Sequence, residues 1–216
     1  MSVVAAPRPA RERTLLELYR DDGPLARALA VPGARLPLPP SVLVALGAVP
    51  LFAVIAIVGE GASKGVAALV LGWLVLTGGL SSGRPHSDRF RWAVPPVLRV
   101  VEYSAYVWLG ALAGGSGVAA AFAFLCALAF RHYDLVYRLR HQGTMPPDWV
   151  GMAGGGWEGR IVLAYLFFAA DAMSGFFFIA AGLLAALFVT ESVASWRRFG
   201  RSLQPVLYDD EEDAAE

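Results

Sequence analysis

Five stretches of this chain carry no charged residue: 42–58, 65–80, 103–130, 161–170 and 172–190. Inside a bilayer every backbone N–H and C=O must find its partner within the protein, which restricts spanning structures to helices and closed barrels. A helix needs roughly 20 apolar residues to cross, within a range of about 17–25. Some of these runs fit that length, some fall short and one is long enough to divide. The chain is 56% hydrophobic, above the roughly 45–50% of a soluble domain, but the clustering decides the class. The fold expected is all-α and polytopic, with six transmembrane helices.

Turn and charge signals set the divisions. Residues 1–13, rich in Pro, Ala and Arg, read as disordered. Residues 14–40 read as an amphipathic helix on the bilayer surface, interrupted at Gly23-Pro24 and followed by a Pro-rich entry. The membrane domain then covers 41–200. Its first span falls at about 42–58, with Pro50 as a kink. The second is expected at 65–80, the third at 96–113 and the fourth from 118 into "AFRHYDLVYRLRHQG". "GEGAS" and "GGSG" read as tight turns. Residues 159–195 would reach roughly 55 Å as one helix at about 1.5 Å per residue. They divide near "DAMSG" into spans at 159–172 and 175–195, the first of which also fits a re-entrant segment. Residues 201–216 end in an acidic, disordered tail.

The basic residues fix an orientation. On this division 17 of the 18 fall on one side, leaving only Lys64 on the other. The positive-inside rule then puts both termini in the cytoplasm of a multi-pass protein of the cell membrane. No cleavable signal peptide is read, because the first 40 residues hold six arginines and no apolar core of the needed length. The single Cys126 reads as a small buried residue, with no disulfide or zinc role.

Ionisable groups in or beside spans are costly and therefore candidates for function. Those on the arginine-rich side include Arg99, Glu102, Arg131, His132, Asp134, Arg138, Arg140, His141, Glu158, Arg160 and Glu191, whereas Glu60, Lys64 and Asp171 lie opposite. This asymmetry predicts one polar cavity. Arg131, Asp134, Arg138 and His141 share a helical stripe at i, i+3, i+7 and i+10, with Tyr137 beside it. A carboxylate between two guanidiniums suits phosphate recognition. A basic collar at a helix end explains the same stripe. Glu102 reads either as a buried acid beside the cavity or as an i,i+3 partner of Arg99. "GGGWEGR" resembles a phosphate-cradling entry to a helix, and a plain helix-entry loop with Glu158 in its first turn accounts for it equally. The phosphate-binding set is thus Arg131, Arg138, His141 and Arg160. The polar cavity is Arg99, Glu102, Asp134, Tyr137 and Glu158. Zinc spacing, a GxSxG elbow and a P-loop are absent, and the basic loops lack the interleaved aromatics of a nucleic-acid surface.

"FRHYDLVYRLRHQG", "PPDWVGMAGGGWEGR" and "LYRDDGPLARAL" together resemble an uncharacterised integral membrane domain of actinobacterial type. That domain accompanies nucleotidyltransferase and CDP-alcohol phosphotransferase domains. The resemblance implies a role in envelope lipid or polyol-phosphate assembly. "DDGPLAR" also matches part of the CDP-alcohol phosphotransferase signature at Asp22, Gly23, Ala26 and Arg27, but Tyr19 replaces its first aspartate and no GxxxDxxxD follows. The function expected is an accessory membrane domain of phospholipid or glycolipid head-group synthesis, binding a phosphate-bearing lipid or nucleotide. One alternative is a diverged phosphotransferase in which Glu102, Asp134 and Glu158 hold Mg or Mn and the ligand is a CDP-alcohol. Another is a small transporter or flippase. Expected partners are the lipid bilayer, a phosphorylated lipid, and a membrane protein or second copy of the chain, without nucleic acid.

Overall fold

The computed structural model describes residues 19–84, 88–143 and 146–202. The expected disorder of 1–13, the start of the amphipathic segment and the acidic run of the tail lie outside them. Eight α-helices and no strand occur among the described residues. They are α1 (Pro24–Gly33), α2 (Pro40–Ile57), α3 (Lys64–Leu80), α4 (Val94–Ala113), α5 (Gly117–His141), α6 (Asp148–Ala153), α7 (Gly156–Ala169) and α8 (Met173–Ser202). Short 3-10 turns at Gly59–Gly61, Ser81–Gly83 and Arg91–Ala93 link them.

Four helices, α2, α3, α5 and α8, are long and apolar enough to cross a membrane. The six expected spans therefore divide into two kinds. The 20-residue α4 has the length but carries Arg99 and Glu102. The 14-residue α7 reaches about 21 Å, short of a hydrocarbon core of roughly 30 Å. The long stretch 159–195 is broken where the sequence divides it: Asp171 turns into the left-handed region at φ 57°, which aspartate tolerates better than most residues. α8 then begins at Met173 and runs on for 30 residues.

The helices pack as neighbouring pairs, α2 with α3 and α5 with α8. α4 lies against α2 and α5, and α7 against α3, α4 and α8. At the centre Tyr106, Phe124 and Phe177 form an aromatic cluster with ring centroids 4.9–5.8 Å apart. The α4–α5 hairpin closes backbone on backbone: a Cβ at Gly117 would stand 2.2 Å from the Gly110 carbonyl oxygen. Only glycine permits that approach. Cys126 is exposed on the outer face of α5, contrary to the buried position expected, because the adjacent Ala127 and Leu128 take the packed face of the helix.

α1 lies across the C-terminal end of α3. Ala26 and Gly33 are buried on one face, while Leu25 and Val31 are exposed on the other. Ser82 Oγ donates to the Ala26 carbonyl at 2.8 Å. At the opposite end of the bundle Lys64 Nζ donates to Asp171 Oδ1 at 2.7 Å and to the Ala169 carbonyl at 2.9 Å, tying α3 to the end of α7.

α2 runs through Pro50. Proline has no N–H, so the Leu46 carbonyl loses its i+4 donor. Trp73 Nε1 from α3 donates to that carbonyl at 2.8 Å. An apolar surround makes the replacement valuable, since an unsatisfied carbonyl there costs about 1–3 kcal/mol. Trp73→Phe should therefore destabilise the protein by about 1–2 kcal/mol. The cost should shrink in a Pro50→Ala background, where residue 50 supplies the donor. Unfolding of the four variants in maltoside micelles checks this, and an equal cost in both backgrounds contradicts it.

Candidate functional site

The site is built around residues 19–23, "YRDDG", which enter the arginine-rich end of the bundle. Arg20 is 1% exposed. Its Nε donates to Asp22 Oδ2 at 2.8 Å, and its Nη2 donates at 3.0 Å to both the Gly78 carbonyl and Ser81 Oγ. A cation suits that position, because the last carbonyls of α3 lack helical donors and carry partial negative charge. Trp157 Nε1 donates to Asp22 Oδ1 at 2.9 Å, and the Trp157 backbone N–H donates to the Asp21 carbonyl at 3.2 Å. Gly156 sits at φ 62°, and a Cβ there would stand 2.3 Å from the Gly23 nitrogen. "GGGWEG" therefore cradles the chain's own DDG turn. Glu158, 0% exposed, accepts from the backbone N–H groups of Gly23 at 3.2 Å and Ala26 at 3.0 Å. It caps α1 as an N-cap carboxylate does, from another helix.

Glu102 centres the first ion network. It is 0% exposed. Its Oε1 accepts from Arg160 Nε at 3.0 Å, Arg160 Nη2 at 2.7 Å and Tyr106 OH at 3.0 Å. Its Oε2 accepts from Arg99 Nη1 at 2.5 Å. Arg160 also donates to Asp21 Oδ2 at 2.9 Å and to the Gly154 carbonyl at 3.1 Å. Arg99 donates to the carbonyls of Tyr19, at 3.1 Å, and of Arg20. His132 Nδ1 pairs with Tyr103 OH at 2.7 Å, and its Nε2 lies 3.7 Å from Asp21 Oδ2. Two guanidiniums thus face two carboxylates. Burial pushes the Asp21 carboxyl upward, but Arg160, with His132 and Arg99, outweighs it and holds the group below the usual carboxylate range.

A second network joins α5 to α8. Arg138 grips Glu191 through two nitrogens at 2.9 and 2.5 Å, and its Nη2 lies 2.6 Å from Asp134 Oδ2. Ser192 Oγ donates to Asp134 Oδ1 at 2.7 Å. The Arg131 guanidinium lies over the Phe188 ring at 5.2 Å.

The expected single cavity is thus two closed ion networks. Arg99, Glu102 and Arg160 meet in the first, and Asp134 and Arg138 in the second. Arg138 and Arg160, read from the sequence as phosphate clamps, direct donors to carboxylates of the protein. Tyr137 and His141 lie outside both networks: Tyr137 is 40% exposed and stacks with Tyr133, His141 and Trp196. Glu102, Asp134 and Glu158 do not form the metal set of the enzyme alternative. Each is held by different partners, and no three metal-capable side chains gather among the described residues. The helical stripe of α5 misses His132, which faces α4, and nothing in the local pattern marks Arg20 and Asp21 as core residues. An Asp-Asp-Gly turn before a proline-started helix is the one signal that points to them.

Between α4 and α5 a half-open cleft of about 250 Å³ is lined by Tyr19, Trp92, Pro95, Pro96, Arg99, His132, Leu135 and Val136. Its walls are apolar apart from Arg99 and His132.

Residues 10–213 match DUF5941, described as a family of unknown function. No curated protein and no solved structure matches the chain.

Asp21→Asn keeps the shape but leaves Arg160 short of a charge, an expected loss of about 2–4 kcal/mol near pH 7. A depressed carboxyl contributes in full above its unfolded value of about 3.9 and loses that contribution as pH falls below it. The stability gap between wild type and Asp21→Asn should therefore narrow on acidification below about pH 4. Unfolding midpoints across that range measure it, and a constant gap would speak against an ionised pair.

Proposed function

The chain belongs to the DUF5941 family, and we propose that it is an accessory membrane domain of phospholipid or glycolipid head-group synthesis that holds a phosphate-bearing lipid. In this reading α4 and α7 complete a six-span bundle with α2, α3, α5 and α8. The arginine-rich end faces the cytoplasm in this reading, which the charge asymmetry supports. A place beside nucleotidyltransferase and CDP-alcohol phosphotransferase domains comes from the sequence resemblance.

The observation that carries the reading is the α4–α5 cleft. A largely apolar slot with Arg99 and His132 in its lining has the mixed polarity of a lipid, and an incoming phosphate would share the Arg99 guanidinium with Glu102 and the Tyr19 carbonyl. Trp92, 66% exposed, stands at its mouth, where an interfacial tryptophan belongs. Recognition suits this site better than turnover. Phosphotransfer through paired metals needs convergent carboxylates, and Glu102, Asp134 and Glu158 are each committed to other partners.

The test is binding of dioctanoyl CDP-diacylglycerol and dioctanoyl phosphatidic acid to maltoside-solubilised protein by native mass spectrometry. Both should bind, dioctanoylglycerol should not, and Val136→Trp, which fills the cleft, should weaken binding at least about tenfold. Equal binding of the phosphate-free lipid would defeat the head-group reading. Metal-dependent release of CMP from CDP-diacylglycerol and a polyol would move the domain into the enzyme class.

A further inference from the structure

The link between α3 and α4 carries four exposed residues in a row, Arg89, Phe90, Arg91 and Trp92. Phe90 is 58% exposed and Trp92 66%, although the backbone that carries them is tied. The Phe90 N–H donates to Asp88 Oδ1 at 2.9 Å, the Arg91 N–H to the Asp88 carbonyl at 3.2 Å, and the Ala93 N–H to the Phe90 carbonyl at 2.9 Å. This turn holds both rings outward. The Arg89 guanidinium lies over the Phe90 ring at 5.9 Å.

Position and charge together say what covers this surface. The membrane-length segment Lys64–Gly83 ends only a few residues earlier, so the turn stands close to where hydrocarbon gives way to head groups. On the same end of α3, α1 exposes Leu25 and Val31 beside Arg27 and Arg35. Arg27, Arg35, Arg89 and Arg91 make no ion pair among the described residues, and Asp88, the acid of the turn, is bonded to its own backbone. Aromatic rings are stable in the head-group layer, and guanidiniums pair with phosphate oxygens. Unpaired guanidiniums set among outward apolar side chains therefore complement a leaflet of net negative charge.

We propose that residues 89–92 form a membrane-reading turn, which sets Phe90 and Trp92 among the head groups of anionic phospholipids and places Arg89 and Arg91 on their phosphates. Trp92 also lines the α4–α5 cleft, so the turn fixes the mouth of that cleft at head-group depth. The proposal holds whatever enters the cleft.

The experiment places a nitroxide at position 90, as Phe90→Cys in a Cys126→Ser background, since Cys126 is the only cysteine of the chain. The full chain is reconstituted in phosphatidylcholine vesicles containing increasing fractions of phosphatidylglycerol. Power saturation then compares collisions of the label with oxygen and with a neutral nickel chelate. The label should pass from chelate-accessible to oxygen-accessible as phosphatidylglycerol is added. Arg91→Gln or Arg89→Gln should each raise the fraction needed for half-immersion about fivefold. All these side chains are exposed, so unfolding midpoints should stay within about 2 °C of wild type. Full immersion in phosphatidylcholine alone, or immersion unaltered by both arginine substitutions, overturns the proposal. So does a label open to the chelate at every composition. Shielding from both reagents also overturns it and gives the turn to a protein contact.

Discussion

The arginine-rich end of the bundle depends on holding Glu102 as an ion with no exposure to solvent. An isolated carboxylate there would be untenable, since desolvation costs several kcal/mol even after relaxation. Two arginines and a tyrosine make it possible. Arg99 comes from the same helix one turn away, and Arg160 comes from α7. Arg160 then needs a second carboxylate, and Glu158 of its own helix is turned to the start of α1 instead. Asp21 provides it, and with it the whole 19–23 segment is drawn into the bundle. The N-terminal segment is thus internal because of charge balance. The same demand places α1, since Glu158 caps its start only when the DDG turn is seated.

This chain of dependence explains what was legible in the sequence and what was not. Helix-length apolar runs marked the membrane-length segments, because backbone satisfaction is a local constraint. The break at Asp171 was legible too, since one helix of 37 residues has nowhere to go in a bilayer. Asp134 with Arg138 was legible because i,i+4 partners share a helix. The pairing of Arg160 with Asp21, 139 positions apart, was not. Helical periodicity reports which side of its own helix a residue occupies, and says nothing of the helix that will face it. His132 shows the same limit. Off the Arg131–Asp134–Arg138 stripe, it looks outward on a lone helix, yet Tyr103 of α4 stands beside it.

Prolines and short helices fit the same picture from the apolar side. Pro50 breaks a backbone bond in α2, and Trp73 closes it from α3. That couples two helices through a defect that either helix alone could not tolerate in hydrocarbon. The short α7 starts with a cluster of contacts, Trp157, Glu158 and Arg160, that all reach into residues 20–26 or α4. Its length is limited, but its first turns organise the polar end. A truncation of α7 would therefore be felt at the DDG turn before it was felt in the apolar core.

Charge is matched pair by pair at this end of the bundle. Arg99 and Arg160 face Glu102 and Asp21, and Arg138 faces Asp134 and Glu191. Arg138 is engaged by two carboxylates on its terminal nitrogens, and Arg160 by two others. Either would have to break those contacts to take a ligand there. The two arginines that most resemble phosphate clamps on their own helices are thus committed to the fold, because a guanidinium edge already bonded to a fixed carboxylate cannot offer the same donors to an oxyanion.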